Sequence, residues 1–141
     1  MEKECGMWIH VLSHKLKKRM NANMQSLGLT GMQSRIMHYI LVKCGDGPVF
    51  QRDVEGVFGL SRSTATGILQ SMEKSGMIVR ESVASDARLK SLIPTEKGAR
   101  LDAQAGEYLR QAEQCLTRGL SGAQLALFLQ TAAQMSANLD E

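Results

Sequence analysis

Residues 51–98, QRDVEGVFGLSRSTATGILQSMEKSGMIVRESVASDARLKSLIPTEKG, contain two short helical patterns, a tight turn between them, and two β-rich runs. The first pattern, 51–58, is predicted to bury Val54, Val57 and Phe58, with Gly59 as its stop and Leu60 packed in the turn. Ser61 is placed to cap the next helix through its hydroxyl. There Ala65, Ile68, Leu69 and Met72 fall on one face, and Arg62, Ser63, Thr66, Gly67, Gln70 and Glu73 on the other. Gly76 ends this helix as a left-handed C-cap residue. Runs 77–83 and 89–93 alternate in part, and ASDAR between them is turn-like, so a hairpin is expected with Asp86 and Arg88 at its tip. Pro94 closes the second strand because it has no N–H for a ladder, and Thr95 caps the helix after it. The order is that of a helix-turn-helix with a wing.

Working outward, Ile9, Leu12, Leu16, Met20, Met24 and Leu27 step by three or four and predict an amphipathic helix over 7–27, widened by Met7, Trp8 and Val11. Gly28 breaks it. Thr30 with Gln33 reads as a capping box for a second helix carrying Ile36, Met37, Ile40 and Leu41, ended by GDGP. After the hairpin, Leu101, Ala105, Tyr108, Leu109, Ala112 and Leu116 mark a long helix over 96–118. Ser121 and Gln124 open a last one with Leu125, Phe128, Ala132, Met135 and Leu139. The fold class is therefore mainly α with a small β-hairpin wing, an α+β winged helix-turn-helix.

At 141 residues the chain is expected to form a single domain, 1–141. Its winged lobe is placed at 30–94, and 1–28 and 96–141 are read as dimerisation helices. The two end helices carry apolar seams with few neighbours left in their own chain, and a two-fold partner is the commonest cover. The net charge of +3 does not by itself identify nucleic acid as a partner. Lys15, Lys17, Lys18 and Arg19 form the sharpest basic run, whereas residues 50–92 hold six basic and five acidic side chains. No apolar run approaches the roughly 18 residues of a membrane span, and the N-terminus lacks a signal-peptide core, so no membrane association and a cytoplasmic location are expected. Cys5, Cys44 and Cys115 are an odd number without a C-x-x-C pair, which argues against a disulfide framework and a zinc finger.

On the second helix of the pair, Arg62, Ser63, Thr66 and Gln70 share a face near its start, where donor and acceptor side chains reach base edges in the major groove. Gln70 suits adenine, and Arg62 guanine or a phosphate. Thr64 and the helix-start N–H groups suit backbone phosphate. Arg88 is placed to enter a minor groove, with Lys90 and Arg80 as phosphate contacts and Asp86 as a support holding Arg88 or Arg80. The partner so implied is double-stranded DNA.

The motif order resembles the MarR family of winged helix-turn-helix regulators over nearly the whole chain. SRSTATGILQSMEKSGMIVR is similar to that family's recognition helix and the strand after it. DARLKSLIPTEKG is similar to its wing and next helix start, with Asp86 and Arg88 as the D-x-R and Thr95 and Gly98 as the T-x-x-G positions. The resemblance implies a homodimer on a pseudo-palindromic operator, repressing a neighbouring gene and released by a small molecule or oxidant. Phe50 stands where a polar cap is common, Gly67 where a basic residue is common, and Pro94 where an aliphatic one is common.

Three sensing chemistries stay open. In a fold of this kind the first two helices border a cleft, and Trp8, His10, His14, Arg35 and His38 would suit a small aromatic or carboxylate effector. His10 and His14, four apart, offer two metal ligands and would need a third from His38, Glu4 or Cys5; no metal or other cofactor is assigned. Cys5 beside a basic stretch is the candidate thiol switch, while Cys44 and Cys115 are expected to pack. There is no nucleotide-binding Gly loop, H-E-x-x-H or nucleophile elbow, so no enzyme is expected. A winged-helix module for protein or RNA is the alternative.

Overall fold

The computed structural model describes residues 4–141, with every side chain among them except that of Ala87. In order, the elements are α1 (Cys5–Ser26), α2 (Gly31–Lys43), α3 (Gln51–Phe58), α4 (Arg62–Lys74), β1 (Ile78–Val83), β2 (Asp86–Pro94), α5 (Glu96–Leu116) and α6 (Gly122–Leu139). They fall into two compact units, one ending at Leu109 and the other spanning Arg110–Glu141.

The core of the first unit is built by helical and strand periodicity. Ile36, Met37 and Ile40 of α2 meet Val54 of α3, Leu69 and Met72 of α4, Ile78 of β1 and Leu92 of β2, all essentially without solvent contact. Met24 closes it from α1 and Ala105 from α5. Local signals set the helix starts. Thr30 and Gln33 form the reciprocal capping box, with Gln33 N donating to Thr30 Oγ1 and Thr30 N to Gln33 Oε1, both at 3.1 Å. Gly59 ends α3 with φ 64°, a left-handed turn that costs a residue without Cβ nothing.

Val57, expected in the core, is 57% exposed. An eight-residue helix buries one narrow face, and the place beside Val54 goes to Phe58, whose ring meets Tyr39 edge-on at 5.8 Å. The wing also differs from expectation. Its turn is only residues 84–85, and β2 begins at Asp86 instead of at 89. Ser82 pairs with Lys90 but Val83 with Asp86, so the extra residues of the second strand stand out as a bulge carrying Arg88.

The β2–α5 junction is tight. Thr95 Oγ1 accepts from Gly98 N at 3.0 Å and lies 2.6 Å from the Gly76 carbonyl it donates to. A Cβ on Gly98 would collide with the Met77 carbonyl oxygen and come within 2.9 Å of Met37 Sδ.

Toward both ends the apolar seams are open. Of the α1 stripe only Met24 is buried, and Met7, Trp8, Ile9, Leu12 and Leu16 are exposed. α6 has no buried residue, and Leu127, Phe128, Leu129 and Leu139 stand in solvent. No helix among the described residues is long and apolar enough to cross a membrane.

Candidate nucleic-acid interface

α4 is held at its start and bare on its outer face. Ser61 Oγ accepts from Thr64 N at 3.2 Å and donates to Thr64 Oγ1 at 2.9 Å. The Thr64 N–H is therefore spent on the cap that Ser61 was expected to form. Ala65, Leu69 and Met72 anchor the inner face, while Arg62, Ser63, Thr64, Gly67 and Gln70 are exposed. Thr66 is half-buried, its hydroxyl bonded to the Arg62 carbonyl at 2.8 Å.

The wing aligns its cations by two carboxylates. Asp86 Oδ1 accepts from Arg88 N at 2.9 Å and lies 3.4 Å from Arg88 Nε, while the Arg88 side chain remains 93% exposed. Of the two arginines open to Asp86, the geometry selects Arg88. Arg80 faces Glu73 of α4 instead, Nε to Oε2 at 3.9 Å, and its Nε and Nη2 are buried with no hydrogen-bond partner. Both arginines and Lys90 border a single concavity with Arg62, Arg52, Gln51, Glu55, Phe50 and Leu89. Five cations against one carboxylate make this concavity strongly positive.

Arg52 and Gln51 were not signalled by sequence as part of this surface. The Arg52 guanidinium lies over the Phe50 ring, 4.8 Å from its centroid. Phe50 has no side-chain cap bond to give, and Asp53 Oδ2 instead accepts from Phe50 N at 2.8 Å. An aromatic in the polar cap's place, two residues before an Arg, is the signal that could have found Arg52.

Arg35 and His38 line a second concavity of about 580 Å³, with Ser34, Tyr39, Val42, Phe58, Asp102, Ala105 and Leu109 around it. His38 Nδ1 lies 3.2 Å from Asp102 Oδ1. Arg35 also borders a hollow to which α1 contributes Ser13, Leu16, Lys17 and Met20. Trp8, His10 and His14 line neither, and the two histidine rings stack on each other with centroids 6.4 Å apart. The expected five-residue cluster is thus divided: Arg35 and His38 line the concavities, while His10 and His14 pair with each other nearer the start of α1. Among the described residues no three His, Cys, Asp or Glu side chains are grouped to hold a metal ion, so the third ligand for His10 and His14 is missing there. Cys5 is exposed. Cys44, expected to pack, is exposed as well, its thiol 3.3 Å from the Leu41 carbonyl, because it lies at the end of α2 past the last buried residue; Cys115 is half-buried.

A capped, outward-facing second helix leading into a bulged two-stranded hairpin defines a winged helix-turn-helix protein. Residues 27–89 match the model of the MarR family. A MarR transcription regulator of Oenococcus oeni is 27% identical, with a TM-score of 0.67 over 95% of this chain and 99% of that one. A putative MarR family regulator of Clostridium acetobutylicum is 26% identical, with a TM-score of 0.75 over 94% and 96%. MepR of Staphylococcus aureus, crystallised with DNA, shares the fold at 21% identity, with a TM-score of 0.75 over 95% and 98%. The chain is thus similar to MarR-family transcription regulators in its winged-helix segment and in its fold.

Proposed function

We propose that this regulator is a homodimeric repressor that binds a pseudo-palindromic DNA operator through α4 and the wing of each copy. The observation that carries this reading is the basic concavity of Arg52, Arg62, Arg80, Arg88 and Lys90 between the polar face of α4 and the bulged strand. α4 enters the major groove, where Arg62, Ser63 and Gln70 meet base edges. The N-terminal turn of α4, with Thr64, and Gly67 lie against the backbone, Gly67 permitting close approach because nothing crowds it. Arg88, fixed by Asp86 and almost fully exposed, reaches the adjoining minor groove. The DNA complex of MepR supports the choice of partner by likeness of fold.

Two copies meet through 1–28, of which residues 1–3 lie outside the described residues, and 96–141, with 30–94 as the reading lobe. The support is the uncovered apolar surface of α1 and α6. In the same reading the concavity of Arg35, His38 and Asp102, walled by Val42, Phe58 and Leu109, receives a small aromatic or carboxylate effector that releases the operator.

The experiment is selection from a random duplex pool at near-physiological salt, wild type beside Arg88→Ala. The wild type enriches an inverted repeat with half-sites about one helical turn apart. Arg88→Ala keeps its fold and loses about tenfold in affinity, the scale of one lost charge-assisted contact. No enriched sequence from the wild type overturns the proposal, and equal affinity of the two proteins at matched salt overturns the wing contact.

A further inference from the structure

Thr66 lies on the outer half of α4, where a hydroxyl would ordinarily be counted among the groups that read bases. Its one donor hydrogen and one of its acceptor lone pairs are committed elsewhere. Thr66 Oγ1 donates its one hydrogen to the Arg62 carbonyl at 2.8 Å and accepts from Gln51 Nε2 at 2.8 Å. Gln51 Nε2 also lies 3.3 Å from the same Arg62 carbonyl. A carbonyl can only accept, and the Thr66 hydrogen is already used, so only the amide nitrogen fits at this point and the orientation of the Gln51 amide is determined. The three groups form a closed triangle that ties the first residue of α3 to the first and second turns of α4.

We propose that Gln51 and Thr66 form a clasp that fixes the angle at which α4 leaves the α3–α4 turn, and that Thr66 is a positioning residue and not a base reader. The proposal rests on the DNA reading above and narrows it: base recognition by α4 passes to Arg62, Ser63 and Gln70. α3 and α4 also contribute Val54, Leu69 and Met72 to the common apolar core, whose packing resists separation but is non-directional. Hydrogen bonds at the open end of the pair supply the direction. A small error in helix angle there displaces every reading side chain at once, so loss of the clasp weakens all base contacts together instead of one.

The test uses the full chain as wild type, Thr66→Val, Thr66→Ser, Gln51→Ala and the double variant Gln51→Ala/Thr66→Val. Each is titrated against the duplex selected by the wild type and against that duplex changed one base pair at a time. Thr66→Val and Gln51→Ala are each expected to lose about five- to tenfold in affinity, the worth of one net hydrogen bond, by the same factor on every duplex. The double variant loses no more than the worse single one, since the two side chains form one interaction. Thr66→Ser keeps the hydroxyl and binds like the wild type. Circular dichroism at the assay temperature verifies that each variant is folded; should Thr66→Val not fold, Gln51→Ala, altered at a helix end, carries the same comparison. Loss of discrimination at a single base pair in Thr66→Val makes it a base reader and overturns the proposal. So do multiplicative effects in the double variant, or unchanged affinity in Gln51→Ala. Failure of the wild type to select any duplex overturns the DNA reading itself and is recognised separately, before any variant is compared.

Discussion

At Gly98 the wing and α5 meet with no room for a side chain. The Met77 carbonyl and the Met37 thioether occupy the volume a Cβ would need, and Gly98 N is bonded to Thr95 Oγ1. Gly98→Ala must therefore push α5 away from β1, straining the Thr95 bonds to Gly76 and Met77 at the same time. Overpacking of this kind costs about 2 kcal/mol, and the expected result in urea denaturation is a lower midpoint with an unchanged slope. A midpoint equal to that of the wild type would mean that the junction relaxes freely. Arg80 carries a different constraint. Its buried Nε and Nη2 have only Glu73 nearby, at 3.9 Å, a pair too long to count as a hydrogen bond. Leaving these two donors buried and unpaired costs free energy.

At the scale of the element, α4 depends on one cap. Ser61 Oγ satisfies Thr64 N and orients the Thr64 hydroxyl. Ser61→Ala leaves that N–H to water, and about 1 kcal/mol of stability is expected to go, read as a lower Tm; Ser61→Asp restores it. A Tm unchanged in Ser61→Ala would show that packing of Leu69 and Met72 alone sets the helix. Caps and stops were legible in sequence because they are local: Thr30 with Gln33, Ser121 with Gln124, and the glycines after α3 and α4 all act within four residues. Val57 was misplaced because choosing between i+3 and i+4 on so short a helix depends on Tyr39, which lies in another element. The bulge at 87–89 was hidden because register depends on how Val79, Leu92 and their neighbours pair across the hairpin. The interface divides along the same line. Arg62, Gln70 and Arg88 stood out by position, but Gln51 and Arg52 join them only across the α3–α4 turn and beside the wing, and Trp8, His10 and His14 share a helix with lining residues without lining either concavity.

For the whole molecule, the surface most in need of cover lies at α6. Eighteen residues fold into a helix opened by a full capping box, yet none of them is buried, and Leu127, Phe128 and Leu129 are each more than half exposed. Large adjacent apolar side chains left in water favour association, because each gains about 1.5–3 kcal/mol when buried. A symmetric partner presents the same patch to itself, so each substitution acts twice in a dimer. If the copies associate as proposed, Leu127→Glu/Phe128→Glu shifts the protein from dimer to monomer in sedimentation equilibrium at micromolar concentration, while the far-ultraviolet circular dichroism stays close to that of the wild type. The charges replace side chains that no buried contact of their own chain requires. Binding to an inverted repeat would then fall far more steeply than binding to a single half-site, because a monomer loses the linkage that makes the second half-site contact intramolecular. A double variant that remains dimeric would move the interface away from this face of α6 and leave α1, with Trp8, Ile9, Leu12 and Leu16 exposed, as the surface that joins two copies.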